Sequence, residues 1–308
     1  MDSVFSVFSF CFALLIAPLF PAVIQKVKAW FGGRQGPPLL INYYTLFKLV
    51  QKVSVYSTST SFVFKIGPVI SAAAALLLLL FFPFAGAEPL LSFQGDVILL
   101  FYLMGLGRFF TILAALDTAS PFEGMGTARE AFFSSLAEPT VFTILFLFFK
   151  VSGSLSFAGF FSGPTPVALV GEFGAVVLLA AVALYIVMLT ENSRVPVDDP
   201  ATHLELTMIH EVMILDHSGP DLALIEAGAW SKLLFYCSFI ASIIWFPRFD
   251  NFLLNTVLFY VVVALIYVSI GVVESITARY RMDLVPKFIL NSFALMFFVI
   301  ILTMEFAQ

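Results

Sequence analysis

Residues 168–190, ALVGEFGAVVLLAAVALYIVMLT, form an apolar run broken by one charge, Glu172, and closed by Glu191-Asn192-Ser193-Arg194. A helix of ~20 such residues matches the hydrocarbon thickness of a bilayer. Inside lipid every backbone N–H and C=O must be satisfied within the segment, which a helix does. The run shows no period-two alternation, so a helix is the reading. Comparable runs occur at 3–25, 66–85, 96–116, 138–158, 231–247, 252–273 and 286–306, making eight in all. The chain is 61% hydrophobic and only 11% charged, against ~25% charged for a soluble domain. The sequence therefore predicts an all-α integral membrane protein with about eight transmembrane helices in a single polytopic domain, 1–308.

The connections 26–65, 117–137, 191–230 and 274–285 carry the polar residues. Twelve of the fifteen Lys and Arg fall at or beside these connections, while Arg248 is on the other side and Arg108 and Lys150 lie inside predicted spans. Since cytoplasmic loops are enriched in Lys and Arg, the long loops are expected in the cytoplasm and both termini outside. The apolar N-terminus lacks the basic leader of a secretory signal and is expected to be a retained first helix. The formal charge of −5 says little for such a protein, and nothing points to nucleic acid. Cys11 and Cys237 form no metal-ligand spacing, which excludes a cysteine-ligated cluster on this chain.

The loops carry the chemistry. In the first, Arg34-Gln35-Gly36-Pro37-Pro38 enforces a turn. Apolar residues at 46, 47, 49, 50 and 53 with Lys48 and Lys52 then predict an amphipathic helix on the membrane surface. In the third, Glu191 ends the apolar run, where a carboxylate needs a partner, and Arg194 is the nearest candidate. His203, His210 and His217 stand seven apart, too far to share one ion. His210-Glu211 is not a zinc motif, because Ile214 occupies the place of the second histidine. No metal site is expected; hydrogen-bonding or proton-relay histidines are. Arg108 and Lys150 would be costly in lipid and are expected to face the bundle interior. Glu138, Glu172, Glu191 and Glu274 lie near span ends and are candidates for a hydrated proton path, Glu138 and Glu191 foremost.

These loops resemble those of the quinone-chamber membrane subunit of respiratory complex I and of its relatives in energy-converting group 4 nickel–iron (NiFe) hydrogenases and formate hydrogenlyases. The similarity covers nearly the whole chain. It is carried by Arg34-x-Gly36-Pro37; Arg129 with Glu138 nine residues on; Glu191-x-x-Arg194-x-Pro196-x-Asp198 with Glu205 and Ser218-Gly219; and Arg279-x-Arg281-x-Asp283-Leu284. Pro196-Val197-Asp198 and Asp216-His217-Ser218-Gly219 differ from the Pro-Phe-Asp and acidic-Tyr-Ser-Gly of complex I proper, which favours the hydrogenase-4 and formate hydrogenlyase branch.

The resemblance implies a non-catalytic subunit in the plasma membrane of a prokaryote, coupling redox chemistry to proton or sodium movement. It implies peripheral iron–sulfur and large hydrogenase-like partners, antiporter-like membrane partners, and clusters and NiFe held by those partners. Glu138, Glu191 and Glu205, with Asp198, Asp216 and His210, would form the proton path. Arg34, Gly36, Pro37, Arg129, Arg194, Arg279, Arg281 and Asp283 would hold loops or partners. The alternative is a quinone-site-forming subunit. A stand-alone transporter is a third reading, disfavoured because no internal repeat is visible.

Overall fold

The computed structural model describes residues 2–162, 166–169, 173–200, 208–244 and 251–306. Within them the elements are helices, and no strand occurs among the described residues. The first span is broken: α1 (Asp2–Ile16) and α2 (Leu19–Phe31) meet at a 40° bend. Pro18 and Pro21 lack the N–H groups a continuous helix needs there, so the single helix expected over 3–25 becomes two. Carbonyls left free at the bend are taken by α3 (Ile41–Val50). The Asn42 amide donates to the Pro18 carbonyl at 2.8 Å, and the Tyr43 hydroxyl donates to that of Leu15. This is the amphipathic helix the first loop predicts: Asn42 is buried, while Tyr44, Phe47 and Val50 are exposed.

Among the described residues seven unbroken helices are long and apolar enough to cross a membrane, and the broken pair makes eight spans. They are α4 (Phe62–Phe81), α5 (Asp96–Asp117), α6 (Pro121–Ser152), α8 (Gly174–Glu191), α10 (Gly219–Ile244), α11 (Phe252–Ile276) and α12 (Val285–Phe306), with short α7 (Phe157–Ser162) and α9 (His210–Met213) between. Ser61 caps α4 by accepting from the Val63 N–H, and Asn251 caps α11 by accepting from Leu253 and Leu254. α4 packs along α5 and α10, α11 along α2, and α12 along α6 and α8.

Two connections expected as loops contain long helical stretches. Only residues 118–120 separate α5 from α6, so most of 117–137 is the first half of a 32-residue helix. At ~1.5 Å per residue this helix outreaches the ~30 Å hydrocarbon layer. Gly126 serves contact rather than flexibility: a Cβ there would meet Val212 Cγ1 at 2.3 Å, so α9 rests on the α6 backbone. Likewise α10 starts at Gly219 rather than at 231. Pro220 sits at its first turn, where a missing N–H costs nothing. Gly219 adopts φ +56° with the Val53 backbone against it, a site only glycine fills.

The two ends of the bundle differ. At one end Phe82 meets Phe84, Phe157, Phe161, Phe235 and Phe239 at ring-centroid distances of 5.1–6.3 Å. At the other, the long connections fold back onto the helix ends. Val197 and Ile209 pack with Phe133, Ala137, Val285 and Ile289, and Met213 and Ile214 with Ala115 and Ile225.

Candidate functional site

At the loop end, α2, α3, α4, α5, α6, α8, α9, α10, α11 and residues 192–200 line a cavity of about 440 Å³. Its wall carries four cations, Lys28, Arg108, Arg194 and Lys232, and six carboxylates, Glu130, Glu191, Asp198, Glu211, Glu226 and Glu274. Small residues on α4, α5 and α10, such as Ala74, Gly107 and Gly228, form the less polar part.

Three ion-paired groups organise the charges. In the first, Arg108 Nη2 lies 2.5 Å from Glu191 Oε2, Nη1 lies 3.4 Å from Glu138 and Nε lies 3.9 Å from Glu130. Lys232 Nζ reaches the same Glu191 oxygen at 3.0 Å and donates to the Glu191 carbonyl at 2.5 Å. In the second, Glu274 is held by Lys28 at 2.9 Å and Arg194 at 3.4 Å, and Lys28 also approaches Asp199 at 3.6 Å. In the third, Arg279 pairs with Asp198 at 2.8 Å. Asp198 also accepts from the N–H groups of Asp199, Ile209 and His210, and so fixes the start of α9. Buried ions of this kind are stable only when paired and hydrogen-bonded.

Arg194 therefore does not pair with Glu191 as expected from the sequence. The helix ends rotate it towards α11, and Arg108 from mid-α5 takes its place. Lys150 is also corrected: it is exposed in the last turn of α6 and does not face the interior. A cation there suits the negative end of the helix dipole and can snorkel to water.

Outside the membrane-spanning segments, burial tunes the titration of the loop groups. Glu211 is raised to about 7 by burial, with Glu226 and Asp198 adding to it. His210 is pushed down to about 4 by burial and by Lys232 and Arg194, so it is neutral near pH 7. Burial also raises Asp198 despite Arg279. At neutral pH, Glu211 is poised to hold or release a proton at the wall of the cavity.

The fold brings Arg108, Glu138, Glu191, Arg194, Asp198 and His210 into or beside this network. Glu138 is its outermost member, with 55% of its side chain exposed. Others lie elsewhere. Arg129 donates to the Met208 carbonyl at 3.0 Å, tying α6 to the connection before α9. Arg34 is exposed in the turn after α2, where Gly36 and Pro37 fold against the helix, with a Gly36 Cβ only 3.0 Å from the Lys26 backbone. Arg281 and Asp283 pair with each other on the surface at 3.2 Å. Asp216 is exposed, and its N–H donates to Glu123. Glu172, His203 and Glu205 lie outside the described residues. His210 starts α9 and His217 lies beyond it, stacked on Phe64 at 4.0 Å, so these two share no helix face. Among the described residues no group of three His, Cys, Asp or Glu side chains is arranged to hold a metal ion.

Glu130, Lys28, Lys232, Glu211 and Glu226 were not legible as site residues. Glu130 and Glu226 fall in stretches read as loop. Had residues 121–152 been read as one helix, Glu123, Glu130 and Ala137, seven apart, would have marked its buried face.

Comparison with known proteins agrees with this architecture. The chain is 29% identical over 279 residues to hydrogenase-4 component C of Escherichia coli (strain K12), covering 88% of this chain and 86% of that protein. It is 27% identical over 278 residues to formate hydrogenlyase subunit 4 of the same organism, covering 88% and 89%. A subunit of the NADH-quinone oxidoreductase of Pelagibacter ubique (strain HTCC1062) is 22% identical over 274 residues, covering 84% and 80%. Among solved structures, a chain of the membrane-bound sulfane sulfur reductase, an archaeal respiratory membrane complex, shares the fold at a TM-score of 0.84 and 20% identity, over 98% of this chain and 99% of that one. The family model described as NADH dehydrogenase matches residues 4–305, and the chain, with its eight spans and charged inner cavity, belongs to the NADH dehydrogenase family.

Proposed function

We propose that the chain is a membrane-anchoring and energy-coupling subunit of a multisubunit redox-driven ion pump. The observation that carries this reading is the cavity wall: four cations and six carboxylates gathered at one end of an otherwise apolar bundle. Lipid does not tolerate such a set, and a solvent-filled pit would have no use for it. The folded connections above the cavity offer a docking face for peripheral iron–sulfur and large hydrogenase-like subunits, which hold the clusters and NiFe. Relatives named as hydrogenase-4 and formate hydrogenlyase components support that setting.

In this reading the loop end faces the cytoplasm of a prokaryote. A redox event in the partners changes the charge or protonation of the cavity. Glu211, poised near neutral pH, takes up or releases the proton, and the Arg108 group relays the change from Glu191 to Glu138. Glu138, exposed at the flank of α6, is where antiporter-like membrane subunits would receive it. Glu205 belongs to the same proposed path. Glu191→Gln, measured in the assembled complex, should cut coupled ion movement about tenfold while the complex still assembles, the equivalent of ~1.4 kcal/mol. Normal pumping by that variant would reject the relay.

A second reading, a quinone-site-forming subunit, is favoured by the cavity itself. About 440 Å³ with a charged end and an Ala- and Gly-rich side is within the ~300–1,000 Å³ of small-molecule sites. Photolabelling of the complex with a quinone analogue separates the two: label on 34–57 or 191–220 supports the quinone reading, and its absence the coupling reading.

A further inference from the structure

A buried hydroxyl without a hydrogen-bond partner is rare in proteins and marks a site where something polar belongs. Among the described residues, the buried side-chain oxygens that find no nitrogen or oxygen partner inside the spans and away from the cavity are those of Ser9 on α1, Ser238 on α10, and Tyr260 and Tyr267 on α11. α10 packs on α11, and the Phe12 ring of α1 meets Tyr260 at 5.0 Å. Tyr260, Tyr267 and Glu274 stand seven apart on α11, which places them on one buried face. Successive groups are ~10 Å apart along the axis, a gap that takes a few water molecules to bridge. The Tyr267 hydroxyl has the Cys237 thiol, a weak hydrogen-bond partner, beside it. At the upper end of the row, Glu274 forms part of the cavity wall. At the lower end, buried Thr256 and Asn255 continue it towards the start of α11, with the Asn255 amide donating to the Ala85 carbonyl at 2.5 Å.

The row has one apolar interruption. The Phe20 ring stacks on Tyr267 at 4.7 Å and lies nearly parallel to Tyr260 at 6.4 Å, filling the space between them. Phe20 is the second residue of α2, just past the bend in the broken span, whose carbonyls Asn42 and Tyr43 hold. Broken helices at membrane depth are characteristic of ion-handling sites, and an apolar ring in a polar path blocks it by excluding water.

We propose that this chain carries its own transmembrane proton path, a relay of hydroxyls and water along the Glu274-Tyr267-Tyr260 face of α11, closed in this conformation by Phe20. It rests on the coupling reading for the protons that reach the cavity wall, where Glu274 stands. In each hop a tyrosine oxygen accepts a proton from one neighbour on a lone pair and releases its own proton to the next. One O–H bond forms for each that breaks, the oxygen ends neutral and no electron moves.

The test uses the assembled complex in proteoliposomes, with no reductant present, a potassium diffusion potential imposed and an internal pH dye. Phe20→Ala should raise passive proton flux tenfold or more, and adding Tyr260→Phe or Tyr267→Phe should return it to within twofold of the parent. Unchanged flux in Phe20→Ala overturns the proposal. So does a leak that survives either tyrosine substitution, since that would be a packing defect or another route. If Phe20→Ala does not assemble, Phe20→Val carries the same measurement with the same two outcomes. Because no electron transfer is involved, failure here is distinguishable from failure of the coupling reading, which Glu191→Gln reports.

Discussion

The loop end and the aromatic end of this bundle are held together by opposite means. Around Phe82 the contacts are ring against ring, and each is replaceable by another apolar shape. Around Arg108 each group is needed by the others: remove the guanidinium, and Glu130 and Glu191 lose their nearest cation while remaining buried. Tertiary packing in lipid gains little from hydrophobicity, because the tails are as apolar as the side chains. The aromatic end is therefore graded in its response to change, and the charged end is steepest where one guanidinium serves several carboxylates.

The comparison can be broken by substitution. Arg108→Ala should be the most damaging change, costing ~3–5 kcal/mol through uncompensated buried charge, and should appear as failure of the complex to assemble on a native gel. Phe239→Ala, at the opposite end, should cost ~2–3 kcal/mol, below the ~3–5 of a soluble core. Thermal unfolding in detergent would read this, and a larger loss than for Arg108→Ala would reverse the comparison.

A smaller effect sharpens it through pH. Glu211 lies at about 7 in the fold against its usual 4.5. Between those values the folded protein keeps a proton that the unfolded chain has released, so the stability from this group falls as pH rises through 7. Glu211→Gln fixes the neutral form; it should match the parent near pH 4 and be the more stable above pH 7. His210, at about 4 against 6.5, works in the opposite sense, its contribution being lost as pH falls below 6.5, and it is common to both proteins. The smallest effect belongs to the rim. Arg281→Ala removes an exposed pair with Asp283 and should change stability by under ~1 kcal/mol.

The spans were legible in the sequence because lipid thickness dictates their length and composition. The site was only partly so. Glu138, Glu191 and Arg108 stand out because a charge beside or inside an apolar run demands explanation, and Asp198 because it falls in a motif of the resembled family. Glu130 and Glu226 did not, because they fall in stretches read as polar connections, through which the structure continues helices, with Gly126 giving close approach and Pro220 opening α10. The choice of Arg108 over Arg194 for Glu191 depends on how α5, α8 and α11 are rotated about their axes, which no local pattern encodes.

Lys28 belongs to the first span and Glu274 to the end of the seventh, and Asp198 waits for Arg279 in the connection that follows. During synthesis at the membrane, the early partners of these bonds are made long before the late ones. The charged end therefore cannot take its final shape until the seventh span and the connection after it are in place, so these ion pairs tie early-made chain to late-made chain.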